Sequence, residues 1–302
     1  MNRVSVVIGS GSVKCAAAIG LLKVLQREGI GTEMLVGCSG GSIYAAIMAL
    51  GHDAATAEEM TRRLWTKEIT RKRNRRAALS ILLPRLFGFS ERFGLVDDGL
   101  VMERLRVAYG AATFEEARIP LYLTATDFRT GEQVVFSSGS IVDAVRASIS
   151  IPYVFQPWPV GDRLLVDGFL SDPMPVGVAV KNGAHVIVTM GFESPYQPRV
   201  NSLLRFAFQH SSITSNNLLR SKYAFHSMVH HGEVTRSFPG FSTASISSTP
   251  RGFRTSSRRG SAPRKSRFPT CGSCSPRRAA DAALPRTVWP TRRACSSWTT
   301  TR

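Results

Sequence analysis

The pentapeptide Gly37-Cys38-Ser39-Gly40-Gly41 fits G-x-S-x-G, and its surroundings suit a serine that does chemistry. Met34-Leu35-Val36 ahead of it is a short apolar run fit for a buried strand. Ser42 to Leu50 behind it is apolar on several faces, as a buried helix is. A sharp turn from strand to helix lifts Ser39 out of the sheet and points its hydroxyl at the start of the following helix. Gly37 and Gly41 flank the serine because such a turn leaves no room for side chains. The helix start offers unpaired N–H groups and the positive end of a dipole, which both favour a developing oxyanion. The alternative is a glycine-rich joint between strand and helix with no chemistry of its own.

A serine hydroxyl becomes a nucleophile only beside a base. No histidine lies between His52 and His185, and His210, His226, His230 and His231 read as surface residues. Asp167 closes the apolar run Leu164-Leu165-Val166 and precedes Gly168, at a strand end where a side chain faces the cleft of an open α/β sheet. Asp172 competes for the same role, but Gly168 lets the chain approach closely and favours Asp167. The other reading of Asp167 is a turn aspartate satisfying local backbone.

Gly9-Ser10-Gly11-Ser12-Val13-Lys14 is a second loop, set between a strand and a helix. A dinucleotide fingerprint would need glycine where Lys14 stands, and the P-loop pattern does not fit either. Bare amides next to a loop that carries a serine make better sense as an oxyanion hole.

The elements that must hold these loops alternate along the chain. Val4–Ile8 is a continuous, β-branched run, followed by helical spacing from about Cys15 to Glu28 (Ile19, Leu22, Leu25) that stops at Gly29. Thr32–Val36 predicts a strand and Ala54–Trp65 a helix. Pro120–Ala125 and Gln133–Ser137 predict a hairpin closed by a turn at Thr126–Glu132. Ile141–Ser148 predicts a short helix, ended by Ile151-Pro152. Arg163–Val166 and His185–Met190 predict strands, and helical spacing runs from about Asn201 to Val229. Strands separated by helices indicate an α/β fold with a largely parallel sheet.

At 302 residues and 43% hydrophobic, the chain can bury a sizeable core. Its net charge of +18 is uneven: Ser237–Arg302 holds 13 basic residues and one acid, Asp281. That segment is rich in Arg, Ser, Pro, Thr and Ala and keeps no helical or strand period, so disorder is expected. Its composition also resembles a GC-rich gene read in a shifted frame, and a nucleic-acid-binding tail is a further alternative. Five cysteines, two in predicted loops near the start (Cys15, Cys38) and three in the tail, form no disulfide framework. No metal site is expected from Cys271-x-x-Cys274 alone. No apolar run approaches the length of a membrane span. A basic run from Arg62 to Arg76 precedes the apolar stretch Ala77–Phe89. It reads as a solvated helix before a core segment, or as a surface that touches an anionic membrane.

Together the Gly9–Lys14 loop, the Gly37–Gly41 elbow and Asp167-Gly168 resemble the patatin-like phospholipase family. Ala125-Thr126-Asp127, Thr130-Gly131-Glu132, Ala147-Ser148 with Ile151-Pro152, and Pro173-x-Pro175-Val176 extend the resemblance over Arg3–Phe192. It departs where Ser10, Ser12 and Cys15 replace common glycines, and where Phe169 replaces a small residue. Cys15 and Phe169 would narrow the site or alter its loop.

The resemblance implies a three-layer α/β/α domain over residues 1–195; helical spacing adds an extension over 196–236, and composition makes 237–302 a disordered or aberrant tail. It implies a Ser39–Asp167 dyad that hydrolyses lipid acyl esters. Gly9, Ser10, Gly11 and Ser12 would form the oxyanion loop, with Lys14 stabilising that loop or an anionic group of the substrate. No cofactor and no nucleic-acid partner are expected, and the expected location is cytoplasmic with peripheral membrane contact through Arg62–Phe89. The alternatives are a catalytically impaired lipid-binding relative, or a nucleic-acid-associated protein that acts through its basic tail.

Overall fold

In the computed structural model, which describes residues 3–64, 74, 77, 79–80, 84–88, 90–229 and 234–237, the first apolar run forms the centre of a sheet. β1 (Arg3–Ile8) lies between β2 (Gly31–Cys38) and β7 (Ile187–Met190), parallel to both. Its side chains alternate between two cores: Val4, Val6 and Ile8 enter one, and Val7 enters the other. Being buried on both faces is what selects the continuous run of β-branched residues.

β3 (Leu121–Asp127) continues the parallel set beside β2, and β8 (Val234–Ser237) continues it beside β7. Three strands run the other way: β4 (Gln133–Phe136) and β6 (Arg163–Asp167) are antiparallel to β3, and β5 (Trp158–Val160) is antiparallel to β6. The sheet order is β5-β6-β3-β2-β1-β7-β8, with β4 also on β3. The sheet is thus largely parallel, with an antiparallel edge that brings in Asp167.

One face carries α1 (Ala18–Arg27), α2 (Gly40–Ala49), α3 (Ala54–Leu64), α5 (Gly99–Tyr109) and α6 (Ile141–Ser148), whose Leu22, Ile47, Ala57, Leu105 and Val145 join a single core. Between α3 and α5 lies the short α4 (Pro84–Phe87). On the opposite face Val7, Met34 and Val36 meet Val176 and Val178 of α7 (Val176–Lys181) and Leu219 of α8 (Leu203–Val229). This gives the three layers, helix, sheet and helix. Each aliphatic side chain fully buried here contributes roughly 1.5–3 kcal/mol.

Three expectations shift. The helix predicted from Cys15 winds first as a 3-10 turn, Ser12–Ala17, which leaves the preceding loop with Ser12 at φ 52°. Thr126 and Asp127, predicted in a turn, belong to β3; the Asp127 carboxylate then accepts the N–H groups of Arg129 and Thr130 and closes the hairpin. Cys15 and Cys38 are not in loops: one sits in the 3-10 turn, the other ends β2, and both are buried. Most of Arg62–Phe89, and all of 238–302, lie outside the described residues.

Candidate active site

Strand β3 sets the register that joins the two chemical residues. Thr124 of β3 pairs with Cys38, and the next residue, Ala125, pairs with Asp167. Ser39, one residue past Cys38, turns sharply at φ 54° and ψ −129° before α2 begins. A non-glycine residue at positive φ is costly, and such strain is typical of a nucleophile held on an elbow. From there the Ser39 hydroxyl donates to Asp167 Oδ2 at 2.7 Å, with both residues buried.

Each partner is fixed by further bonds. The Ser39 N–H donates to Ser148 Oγ at 2.8 Å, and its carbonyl accepts from Ser42 Oγ at 2.6 Å. Asp167 Oδ1 accepts the Phe169 N–H at 3.1 Å, which leaves Oδ2 for the serine. The Asp167 N–H donates to the Ser150 carbonyl at 3.0 Å, and Thr126 Oγ1 donates to the Asp167 carbonyl at 3.0 Å. Ser148, Ser150 and Thr126 were not anticipated as supports. They meet Ser39 or Asp167 across 17, 41 and 109 residues, so no local spacing announces them.

The glycines stand where backbones touch. A Cβ on Gly41 would lie 2.1 Å from the Ile8 carbonyl oxygen, and one on Gly37 would lie 2.6 Å from Ser42 Cα. On Gly40 it would meet the Ser12 backbone at 2.5 Å, and on Gly168 the Thr124 oxygen at 2.5 Å. The elbow, the first loop and the aspartate turn are therefore packed backbone to backbone.

In the first loop the amides divide into two groups. Gly9 N–H donates to the Met190 carbonyl and Ser10 N–H to the Pro173 carbonyl, each at 2.8 Å, so these two anchor the loop. Among the described residues the Gly11 and Ser12 N–H groups donate to no protein acceptor. The amides without an acceptor thus lie in the second half of the Gly9–Ser12 segment. Lys14 Nζ donates to the Glu193 carbonyl at 3.1 Å and braces the loop.

Burial pushes the Asp167 carboxyl up to about 7, although the Phe169 N–H and the Ser39 hydroxyl favour its charged form. A carboxylate near neutrality is a stronger base than an ordinary one. Asp172, the sequence competitor, is occupied elsewhere: its carboxylate accepts the Met174 N–H at 3.1 Å and lies 3.5 Å from Lys222 Nζ. Burial raises its carboxyl and Lys222 draws it back. Burial, reinforced by the charge of Asp167, also raises both buried thiols. Cys15 donates to the Gly9 carbonyl and Cys38 to the Asp172 carbonyl, each at 3.4 Å, so these thiols pack behind the loops. Among the described residues no three His, Cys, Asp or Glu side chains gather as a set of metal ligands.

Residues 6–180, more than half of the chain, match the patatin-like phospholipase family. The chain belongs to that family. It is 32% identical over 174 residues to an uncharacterized NTE family protein of Mycobacterium tuberculosis, covering 58% of this chain and 44% of that one. It is also 27% identical over 189 residues to the neuropathy target esterase sws of Drosophila melanogaster, covering 62% and 13% of the two chains. The chain therefore spans less than half the length of these relatives. Among solved structures it is similar to VipD from Legionella pneumophila, with a TM-score of 0.43 and 16% identity over 78% of this chain and 57% of that one.

Proposed function

We propose that this chain is a serine acyl hydrolase that cleaves lipid acyl esters through a Ser39–Asp167 dyad. The observation that carries the reading is the 2.7 Å hydrogen bond from Ser39 Oγ to Asp167 Oδ2, on a strained elbow next to amides without acceptors. Membership of the patatin-like family supports it, as does the esterase named among the relatives.

In the first half-reaction Asp167 takes the hydroxyl proton as Ser39 Oγ bonds to the ester carbonyl carbon. The negative charge that moves to the carbonyl oxygen is met by the N–H groups of Gly11, Ser12 and Gly40, the last at the start of α2. As the tetrahedral species collapses, the carbon–oxygen bond to the alcohol breaks and Asp167 returns the proton to that oxygen. In the second half Asp167 deprotonates a water, whose oxygen bonds to the acyl carbon; the carbon–oxygen bond to Ser39 then breaks, Asp167 returns the proton to Ser39 Oγ, and the carboxylic acid leaves. Lys14 holds the loop in place through the Glu193 carbonyl.

The catalytic unit is proposed to occupy residues 1–195, with 196–236 as its helical extension and the tail after Ser237 dispensable for hydrolysis. Labelling with a fluorophosphonate, which traps activated serines, tests the dyad. One adduct on Ser39 is expected, absent in Ser39→Ala and at least a hundredfold slower in Asp167→Asn. Labelling of another serine in place of Ser39 would refute the reading. Hydrolysis should also persist in chelator, and its loss would point to a metal.

A further inference from the structure

Helix α8 turns an apolar stripe outward at the end where it begins. Leu203, Phe206 and Ile213 are exposed by 79%, 61% and 44%, and their spacing of three and seven places them on one face. The preceding strap adds exposed Tyr196 and Val200. This strap runs back along the helix: Ser194 N–H donates to Asn216 Oδ1, Gln197 N–H to Gln209 Oε1, and Arg205 Nη1 to the Arg199 carbonyl. At its other end sits Glu193, whose carbonyl holds Lys14 of the first loop. Phe206 is ten residues along the helix from Asn216, so about 15 Å of helix separates the stripe from the strap residue beside Glu193.

The charge here is one-sided. From Ser194 to Val229 there is no acidic residue, while Arg199, Arg205, Arg220 and Lys222 are basic. Arg220 pairs with Glu193 and Lys222 with Asp172. Arg199 and Arg205, at the apolar end, have no acidic partner among the described residues. A helix start gains stability from acids, yet the first turn of α8 carries Leu203, Leu204 and Arg205. Helix stability therefore does not explain this composition.

We propose that this end of α8 is a docking surface for an anionic lipid bilayer. Exposed apolar side chains flanked by unpaired arginines are the pattern of a helix that lies in a membrane interface. The same charges argue against the other occupants. A second copy in a two-fold contact would bring Arg199 and Arg205 into the interface from both sides, with no acid between Ser194 and Val229 to meet them. The Ser237–Arg302 tail, with 13 basic residues and one acid, would meet them with like charge. That the surface delivers an ester to Ser39 rests on the hydrolase reading; the docking itself does not.

The test measures partition of the full chain onto vesicles of ether-linked phosphatidylcholine, with and without ether-linked phosphatidylglycerol, which no esterase can consume. Leu203→Ser with Phe206→Ser should weaken binding to the mixed vesicles about tenfold or more. Arg199→Glu with Arg205→Glu should weaken it at least twentyfold, since one basic residue at an anionic surface is worth about fivefold. The same pair should leave binding to pure phosphatidylcholine unchanged. Val107→Ser, an exposed apolar site on α5, is the control and should bind as the parent does. A urea unfolding curve that matches the parent reports that each variant is folded. Partition equal to the parent in both double variants would overturn the proposal. So would a change of association state without vesicles in Leu203→Ser/Phe206→Ser, which would mark a self-interface. If the parent binds as expected but no serine is labelled, the hydrolase reading falls and the docking surface stands.

Discussion

The backbone N–H of Ser39 donates to the hydroxyl of Ser148 at 2.8 Å, across 109 residues of chain. Ser148 closes α6, which Ser140 caps at its start by accepting the Asp143 N–H. The strained elbow is thereby tied to a helix that also packs on β6, which carries Asp167, and on β3, which pairs with it.

Replacing Ser148 by alanine leaves the buried Ser39 N–H without an acceptor. That should cost about 1–3 kcal/mol of stability in urea unfolding. If the bond also fixes the angle of the nucleophile, fluorophosphonate labelling should slow by about tenfold in the folded variant. Labelling at the parent rate would mean that the bond supports the fold alone.

The buried carboxyl of Asp167 makes both activity and stability depend on pH. As the proposed base it must be ionised, so kcat/KM for a soluble ester should rise with pH around a midpoint near 7. Stability runs the other way. The folded-state value of about 7 lies above the ordinary 3.8, so the native state binds the proton more tightly. The contribution is complete below pH 4 and is lost as pH rises through 7, a swing on the order of 4 kcal/mol. Asp167→Asn, which cannot ionise, should therefore gain more in melting temperature at pH 8 than at pH 5. An equal shift at both would contradict a raised carboxyl.

Two glycines should respond in opposite ways to the same substitution. Gly41→Ala pushes a methyl to within 2.1 Å of the Ile8 carbonyl oxygen and 2.5 Å of the Gly9 oxygen, both backbone. Neither can yield without moving the elbow against the first loop, so labelling of Ser39 should fall below a hundredth of the parent rate. Gly20 sits exposed in α1 with nothing within 4 Å of an added Cβ. Gly20→Ala should raise stability by about 0.5–1 kcal/mol and leave labelling unchanged. Unfolding and labelling curves of the two variants make the comparison.

How much of this was legible in the sequence follows from the range of each interaction. Val4–Ile8, Ile141–Ser148 and the strand–elbow–helix unit announce themselves because burial on both faces, a cap and a tight turn are local demands. Helix α5 also carries a readable pattern, Val101, Met102, Leu105 and Tyr109 on one side behind the start signal Asp97-Asp98-Gly99, and it was not singled out. The three-residue β5 and four-residue β8 are too short to show a period. Ser39 and Asp167 were legible as two motifs, and the distance between them was not, because that depends on the pairing of β3 with both β2 and β6. The division of the first loop into anchored and open amides was hidden for the same reason: its acceptors, Pro173 and Met190, lie far along the chain.

Arg146 is the least expected residue of the core, since its side chain is wholly buried. Its Nη2 donates to Asp98 Oδ2 at 2.5 Å and to the Gln156 carbonyl at 3.2 Å, and its Nη1 donates to Ser150 Oγ at 2.6 Å. The guanidinium also lies over the rings of Trp158 and Phe155, 5.0 and 5.6 Å from their centroids. Ser150 in turn gives its carbonyl to the Asp167 N–H, so the cation sits two bonds behind the candidate base. Burial lowers the pKa of Arg146 and raises that of Asp98, each opposed by the other's charge. Removing either partner strands a charge, but the two losses differ. Asp98→Ala leaves a cation that cannot shed its proton, and should cost about 3–5 kcal/mol at pH 5 and at pH 8 alike. Arg146→Met fills the space and leaves a carboxyl that can take up a proton, so its penalty should be smaller at pH 5 than at pH 8. Urea unfolding of the two variants at the two pH values separates them. Equal pH dependence in both would mean that the pair is not isolated from solvent and does not brace the turn behind Asp167.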